Sequence, residues 1–279
     1  MENTLKHINH AHILIWVFDH LYGSFYQLFS HTIRKNGGAG MEKREMLYEG
    51  KAKKIYATDQ EDVVLIEYKD EATAFNGEKK AEIAGKGVLN NSITSLLFSK
   101  LHSENIQSHF IQKLSEREHL AKKVSIIPLE VVVRNKAAGS LSKRLGIAEG
   151  TPFSKPLVEF YYKDDVLGDP LLNEDHIEEL AIADPTDVIV LKQYAQRVNA
   201  VLSAFFQELG ITLIDFKLEF GKTADGEILL ADEISPDTCR LWETATNKKL
   251  DKDVFRRDLG SLTEAYQTIL MKLEEEIHV

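Results

Sequence analysis

Leu213-Ile214-Asp215-Phe216-Lys217-Leu218-Glu219-Phe220 alternates apolar and charged residues. A period of two marks a strand with one buried face. Ile214, Phe216, Leu218 and Phe220 are expected to face one way, and Asp215, Lys217 and Glu219 the other. Asp225-Gly226 is a preferred two-residue hairpin turn. Glu227-Ile228-Leu229-Leu230-Ala231-Asp232-Glu233-Ile234 is then the return strand. With that turn, Glu219 lies opposite Asp232 on the polar face, Cβ atoms about 5 Å apart. Opposed like charges destabilise a sheet unless something neutralises them. A divalent cation suits the task, because Mg²⁺ takes one or two carboxylates plus substrate phosphates. Alternation by itself also describes a hairpin with a solvated polar face. The continuation Ser235-Pro236-Asp237-Thr238-Cys239-Arg240-Leu241-Trp242 favours a site, since a proline turn brings Asp237 and Arg240 to the same end. Cys239 has no histidine near it in sequence and is read as incidental.

Outward from the hairpin, Leu47 to Thr58 reads as one strand and Asp62 to Lys69 as the next, joined by a turn at residues 58–61. On the first strand Lys51 and Lys53 share a face beside Gly50, a plausible phosphate cradle, although edge lysines also serve to block aggregation. Asn91 to His102 reads as a helix capped by Asn90 or Asn91, with Ile93, Leu96, Leu97 and Leu101 inward, after a flexible Gly85-Lys86-Gly87 approach. The stretch from Lys122 through Pro128 to Arg134 reads as a connector between lobes and then a buried strand ending at Arg134. Ala137-Ala138-Gly139-Ser140 opens a helix, an arrangement that suits an anion. Thr186 to Leu209 is the clearest helix, with Thr186 as N-cap and Gly210 as its end. A last helix spans Arg257 to Glu275.

The chain has 279 residues and a formal net charge of −10, with 43% hydrophobic and 28% charged residues. These values exclude collagen-like and largely disordered chains. The acid excess speaks against broad binding to nucleic acid or anionic membrane. The one cysteine excludes an internal disulfide and a cysteine-based zinc site. The longest apolar run, Ile13 to Phe18, is far short of the roughly 20 residues that span a bilayer. Residues 1–40 stand apart: they hold five of the ten histidines, carry net +1, and close on Asn36-Gly37-Gly38-Ala39-Gly40. They read as a non-native or disordered extension, with Met41 as the ordinary start. An amphipathic anchor through Ile15, Phe18, Tyr22, Phe25 and Phe29 is the competing reading. Residues 41–279 then carry −11.

Four motifs occur in order: Tyr48-Glu49-Gly50-Lys51-Ala52-Lys53, Glu130-Val131-Val132-Val133-Arg134-Asn135-Lys136-Ala137-Ala138-Gly139-Ser140, Leu213 to Phe220, and Asp232-Glu233-Ile234-Ser235-Pro236-Asp237. Over residues 41–279 the chain resembles the SAICAR synthetases (phosphoribosylaminoimidazole-succinocarboxamide synthases) of purine biosynthesis, in their bacterial single-function form. The resemblance implies an α/β (α+β), two-lobed fold related to ATP-grasp enzymes and kinases, with ATP between the lobes. Residues 41–126 would form the nucleotide-binding lobe and residues 127–279 the substrate- and metal-binding lobe. It also implies an ATP-dependent ligase that joins L-aspartate to the carboxylate of an aminoimidazole ribonucleotide (CAIR).

By the same resemblance Lys51 and Lys53 belong to the phosphate-binding strand, the backbone near Ile126 meets adenine, and Lys163 contacts the nucleotide. Glu219 and Asp232 match the Mg²⁺ carboxylates. Arg134, Ser140, Asp215, Lys217, Asp237 and Arg240 match the ribonucleotide pocket, with Lys217, Asp215 and Arg134 nearest the chemistry. The loop Thr73-Ala74-Phe75-Asn76-Gly77 and Asp169 are candidates near the aspartate site. Expected partners are ATP, CAIR and L-aspartate, without nucleic acid or membrane, in a cytoplasmic homodimer. Transfer of the γ-phosphate to CAIR, then attack by the aspartate amine, needs positioning and charge neutralisation rather than a protein nucleophile. Two other readings remain open: a different carboxylate–amine ligase on this scaffold, and a non-catalytic nucleotide-binding protein.

Overall fold

Runs of alternating and β-branched residues build two antiparallel sheets, and the helices cover them. In the computed structural model residues 41–74 and 77–277 are described; the expectations for residues 1–40 and for Phe75-Asn76 lie outside these. The first sheet has five strands in the order β1-β2-β3-β7-β6, formed by Lys43–Glu49, Lys53–Thr58, Val63–Tyr68, Glu118–Lys122 and Phe110–Lys113. A short hairpin of β4 (Glu71–Ala74) and β5 (Lys79–Glu82) follows β3. The second sheet runs β10-β9-β8-β11-β12, with β13 also on β11. These strands are Leu171–Leu172, Pro152–Tyr162, Ser125–Lys136, Ile211–Lys222, Ile228–Ala231 and Cys239–Glu243. The expected boundary at 126/127 falls inside β8. Residues 43–279 cluster as one unit.

The helices are α1 (Lys86–Ser103), α2 (Gly139–Leu145), α3 (Glu174–Glu179), α4 (Pro185–Glu208), α5 (Asp253–Arg256) and α6 (Leu262–Ile277). On α4, Val188, Leu191, Ala195, Val198, Leu202, Phe205 and Phe206 are buried in the main core with Phe216, Leu218 and Phe220 of β11. Burying one such side chain contributes about 1.5–3 kcal/mol. The N-cap of α4 is Asp184, not Thr186, because Pro185 takes the first helical position, where a missing N–H costs nothing. The expected last helix starts five residues later than Arg257, at Leu262, as α6, and the short α5 precedes it.

The start of α1 differs more. Asn90 and Asn91 are not caps; both are fully buried inside the helix. Asn91 Nδ2 donates to the carbonyls of Ser115 and Glu116, each at 3.0 Å. The helix begins at Lys86, and Asp70 serves its terminus from a distance. Its carboxylate accepts from the Gly85 and Gly87 N–H groups and pairs with both terminal nitrogens of Arg117, at 2.8 and 2.7 Å. The arginine bonds, then the backbone donors, lower the Asp70 pKa from 3.8 to about 2. A depressed carboxylate stabilises the fold above its unfolded pKa, and that contribution disappears as pH falls through the folded value. The melting temperature of the protein should therefore exceed that of Asp70→Asn at neutral pH. The gap should narrow from about pH 4 and close near pH 2; a gap that stays constant over that range would assign the stabilisation elsewhere.

Two strands expected to be uniform are not. Leu47–Thr58 splits into β1 and β2 around Gly50-Lys51-Ala52, so Lys51 lies in the connection and only Lys53 is on a strand. The Gly50 N–H donates to Lys53 O at 2.8 Å, which tightens that turn. In β11 the ladder with β13 pairs Leu213 with Leu241 and Asp215 with Arg240, leaving Ile214 as a bulge. Ile214 then packs with Ala138 and Trp242 while Leu213 and Phe216 both enter the main core, so the alternation is broken there. β8 runs on to Lys136 with Pro128 inside it. Its ladder with β11 skips from Glu130 to Ile126, and a proline is tolerated where no ladder bond is needed.

Candidate active site

The outer edge of β11 is shared. Its first half, Ile211 to Phe216, pairs with β13, and its last residues, Glu219 to Lys222, pair with β12. Between those partners the chain leaves β12 at Ala231, turns through residues 232–238 and returns as β13. This loop meets the middle of β11, where the Lys217 N–H donates to Thr238 O at 2.9 Å. A cavity of about 1350 Å³ opens over this stretch and reaches the first sheet at Lys53, Ile55, Val64 and Ile66.

The hairpin register differs by one from expectation. Glu219 pairs with Ala231, not Asp232, because residues 223–227 form the turn. The Thr223 N–H donates to Glu227 O, and the Glu227 N–H to Thr223 Oγ1. Asp232 lies just beyond β12 with φ +59°, a left-handed backbone. The carboxylate directly opposite Glu219 belongs to Glu130 of β8. Lys217 neutralises this pair: its Nζ is 2.9 Å from Glu130 Oε1 and 2.6 Å from Glu219 Oε1.

Three lysines surround the two candidate metal carboxylates. Lys217 Nζ is 3.7 Å from Asp232 Oδ2. Lys163, which follows β9, donates to Glu219 Oε1 at 2.8 Å. Lys53 reaches from the first sheet to pair with Asp232 and lies 3.6 Å from Glu233 Oε2. Burial disfavours the charge on Lys217, but Glu219, Asp232 and Glu130 outweigh it and hold its pKa well above the usual lysine value. Burial likewise opposes ionisation of Asp232, and Lys53 and Lys217 overcome it, keeping that carboxyl below its usual range. Burial raises Glu233, against the pull of Lys53. Burial and then the Lys53 charge lower the His109 pKa to about 4, so its imidazole is neutral.

A second charge group occupies the other end of the cavity. Asp215 is buried between two arginines. Arg134 donates to Asp215 Oδ2 at 2.7 Å, and Arg240 Nη1 to its two oxygens at 3.1 and 3.0 Å. Arg134 also donates to Glu159 at 2.6 Å and Tyr161 at 3.0 Å, and Arg240 Nε to Asp253 at 3.1 Å. The Arg240 guanidinium lies against Gly139, where a Cβ would collide with it; with φ +56°, that position needs glycine twice over. Asp237 is at the cavity wall, yet both its oxygens have partners: Tyr266 Oη at 2.5 Å, and Lys86 Nζ at 2.6 Å.

Among the described residues, those expected at the site line this one cavity, including Ser140 at the start of α2, Ile126, Lys163, Asp169, Thr73, Ala74 and Gly77. Lys51 stands at the mouth, 2.7 Å from Asp165 Oδ1. Lys86, Glu130, Glu159, Tyr161, His109 and Glu233 contact the expected residues without being among them. Glu130 was legible as the single acid in an apolar run. Lys86, read as part of a flexible approach, is 1% exposed, and its role depends on tertiary contacts.

The donor chemistry fits Mg²⁺. Glu219 and Asp232 present hard oxygens on one wall, with lysines beside them for phosphates. Glu233 Oε2 is buried next to them without a hydrogen-bond partner among the described residues. Among those residues no group of three or more His, Cys, Asp or Glu could hold a metal by itself. Two carboxylates completed by phosphate oxygens is the arrangement Mg²⁺ uses with nucleotides.

The fold is α+β, and the cleft between its two sheets gathers lysines, arginines and carboxylates of the kind that suit an anionic ligand with a cation. The sequence model of one family, SAICAR synthetase, matches residues 46–273. The phosphoribosylaminoimidazole-succinocarboxamide synthase of Bacillus mycoides is 63% identical over 239 residues, 86% of this chain and 100% of that protein. The solved structure of the synthase of that name from Ehrlichia chaffeensis has 50% identity and a TM-score of 0.81, covering 82% of this chain and 98% of that one. A SAICAR synthetase solved in complex with ADP has 47% identity and a TM-score of 0.79, covering 82% and 97%. The chain belongs to the SAICAR synthetase family. It is an ATP-dependent ligase of purine biosynthesis.

Proposed function

We propose that the cavity performs the ligation with the residues set out above. The overall reaction joins L-aspartate to the carboxylate of CAIR, giving SAICAR, ADP and phosphate. The observation that carries the assignment is the convergence of Lys53 from one sheet, and Lys163 and Lys217 from the other, on the carboxylates Glu219 and Asp232. Lys51, Lys53 and Lys163 bind the ATP phosphates, and the β8 backbone near Ile126 borders adenine. Glu219 and Asp232 hold Mg²⁺, which when bound neutralises charge on the phosphates. Arg134, Ser140 and Arg240 bind the ribonucleotide, with Asp215 and Asp237 holding the cations of that pocket in place. The protein is proposed to act as a cytoplasmic homodimer, the commonest closed assembly.

In the proposed sequence a CAIR carboxylate oxygen attacks the γ-phosphorus and the bond to the β-phosphate oxygen breaks, releasing ADP. The aspartate amine then attacks the acyl phosphate carbon, phosphate departs, and the nitrogen loses its proton. Lys217, between the two carboxylates, stabilises charge on the transferring group without becoming a nucleophile. ADP release, measured with CAIR and aspartate each omitted in turn, tests the reading. Release is expected to need both substrates for sustained turnover. Equal release without either, or none with both, would overturn it.

A further inference from the structure

Asp232 reaches Glu219 by an unusual route. Glu219 pairs with Ala231, so those two side chains share a face of the sheet. A strand continued one residue further would turn the next side chain to the opposite face. The left-handed backbone at Asp232 breaks that continuation, and its carboxylate meets Lys217 and Lys53 on the Glu219 side. Aspartate tolerates this conformation better than most residues with a Cβ, so a group that bonds the turn serves to fix it among the alternatives.

The group placed to do so is His109. Its Nε2 lies 3.1 Å from the Asp232 carbonyl oxygen. A carbonyl only accepts, so Nε2 carries the proton and donates. The imidazole is itself fixed. The His109 N–H donates to Leu230 O at 2.7 Å, its carbonyl accepts from the Lys122 N–H at 2.6 Å, and Ser108 bridges to Leu230. The ring is 4% exposed and sits edge-on to Phe98, centroids 5.8 Å apart. His109 comes just before β6 of the first sheet, yet it clips the outer edge of β12 in the second.

We propose that His109 is a positioning residue for the ligase reaction: its Nε2–H holds the left-handed turn at Asp232, sets that carboxylate beside Glu219, and so governs how tightly the site takes a divalent cation. This rests on the reading of Glu219 and Asp232 as cation ligands. His109 borders the cavity, and its proposed action runs through the Asp232 backbone carbonyl rather than through a ligand. Outer partners that orient metal ligands characteristically contribute about 10–100-fold in affinity.

The test is Mn²⁺ binding to the ADP-saturated protein, followed by the loss of the free Mn²⁺ paramagnetic resonance signal. His109→Phe keeps an aromatic ring beside Phe98 and removes the donor; it should weaken Mn²⁺ binding by about tenfold or more. His109→Gln places an amide N–H near the Nε2 position and should stay within about threefold of the parent. The CAIR KM should be little changed in both. Asp232→Asn, measured alongside, tests the underlying reading. If Asp232→Asn binds Mn²⁺ as the parent does, the ligand assignment fails. If Asp232→Asn is weak but His109→Phe matches the parent, the role of His109 fails. Should His109→Phe not fold, the pair His109→Gln and His109→Asn decides, because the shorter amide falls short of the carbonyl. Weak binding by Asn alone supports the proposal, and equal binding by both overturns it.

Discussion

Glu219→Gln is expected to lower turnover by about 10²–10³-fold, the loss seen when one fixed charge-stabilising group is removed from an active site. The carboxylate is 3% exposed and meets Lys163 and Lys217. Glutamine keeps its shape and one acceptor oxygen but removes the charge that both lysines and the proposed cation face. Lys217 keeps Glu130 at 2.9 Å and Asp232 at 3.7 Å, so the fold should survive. The measurement is kcat across a Mg²⁺ titration, with a thermal melt as control. Unchanged turnover at every Mg²⁺ concentration would remove Glu219 from the metal site.

Asp215→Ala should have the largest effect on stability. Asp215 holds Arg134 and Arg240 together, and removing it leaves two guanidinium groups facing one another in a largely buried place. Breaking a buried pair from one side costs about 3–5 kcal/mol, because the remaining charge is uncompensated. Glu159 and Asp253 each still hold one of the arginines, which favours the lower end. Urea unfolding measures it, and a loss below about 1 kcal/mol would mean that the arginines relax into solvent. Adding Arg240→Met to Asp215→Ala should recover part of the stability, since it removes one stranded charge; the double-mutant cycle gives the coupling.

Much of this arrangement was legible because strands and charges obey local rules. The apolar–charged alternation of residues 213–220 located β11 and its polar face. The four motifs named residues that the fold brings to one cavity, among them Lys53, Arg134, Lys217 and Asp232. Two long-range effects hid the rest. Asp225-Gly226 has the chemistry of a two-residue turn, but Thr223 bonds across to Glu227 and lengthens it, which shifts the register. The left-handed residue at Asp232 then restores, by a different path, the proximity that the wrong register had suggested. Ile214 looked like one more inward residue, and only pairing with β13 makes it a bulge. Asn90 and Asn91 have the composition of caps, whereas the helix start is decided by Asp70 and Arg117, far away in sequence. No local pattern announces a contact of that kind.

The undivided course of β11 has one more consequence. Asp215 and Glu219 are four residues apart on the same strand, and a strand rises about 3.4 Å per residue, so their Cα atoms are separated by about 14 Å. One end of that interval anchors the proposed ribonucleotide arginines and the other the proposed cation. The strand thus acts as a ruler. Under the proposed assignment it would fix the distance between the end of the ligand held by the arginines and the end beside the cation, and so select substrates by length.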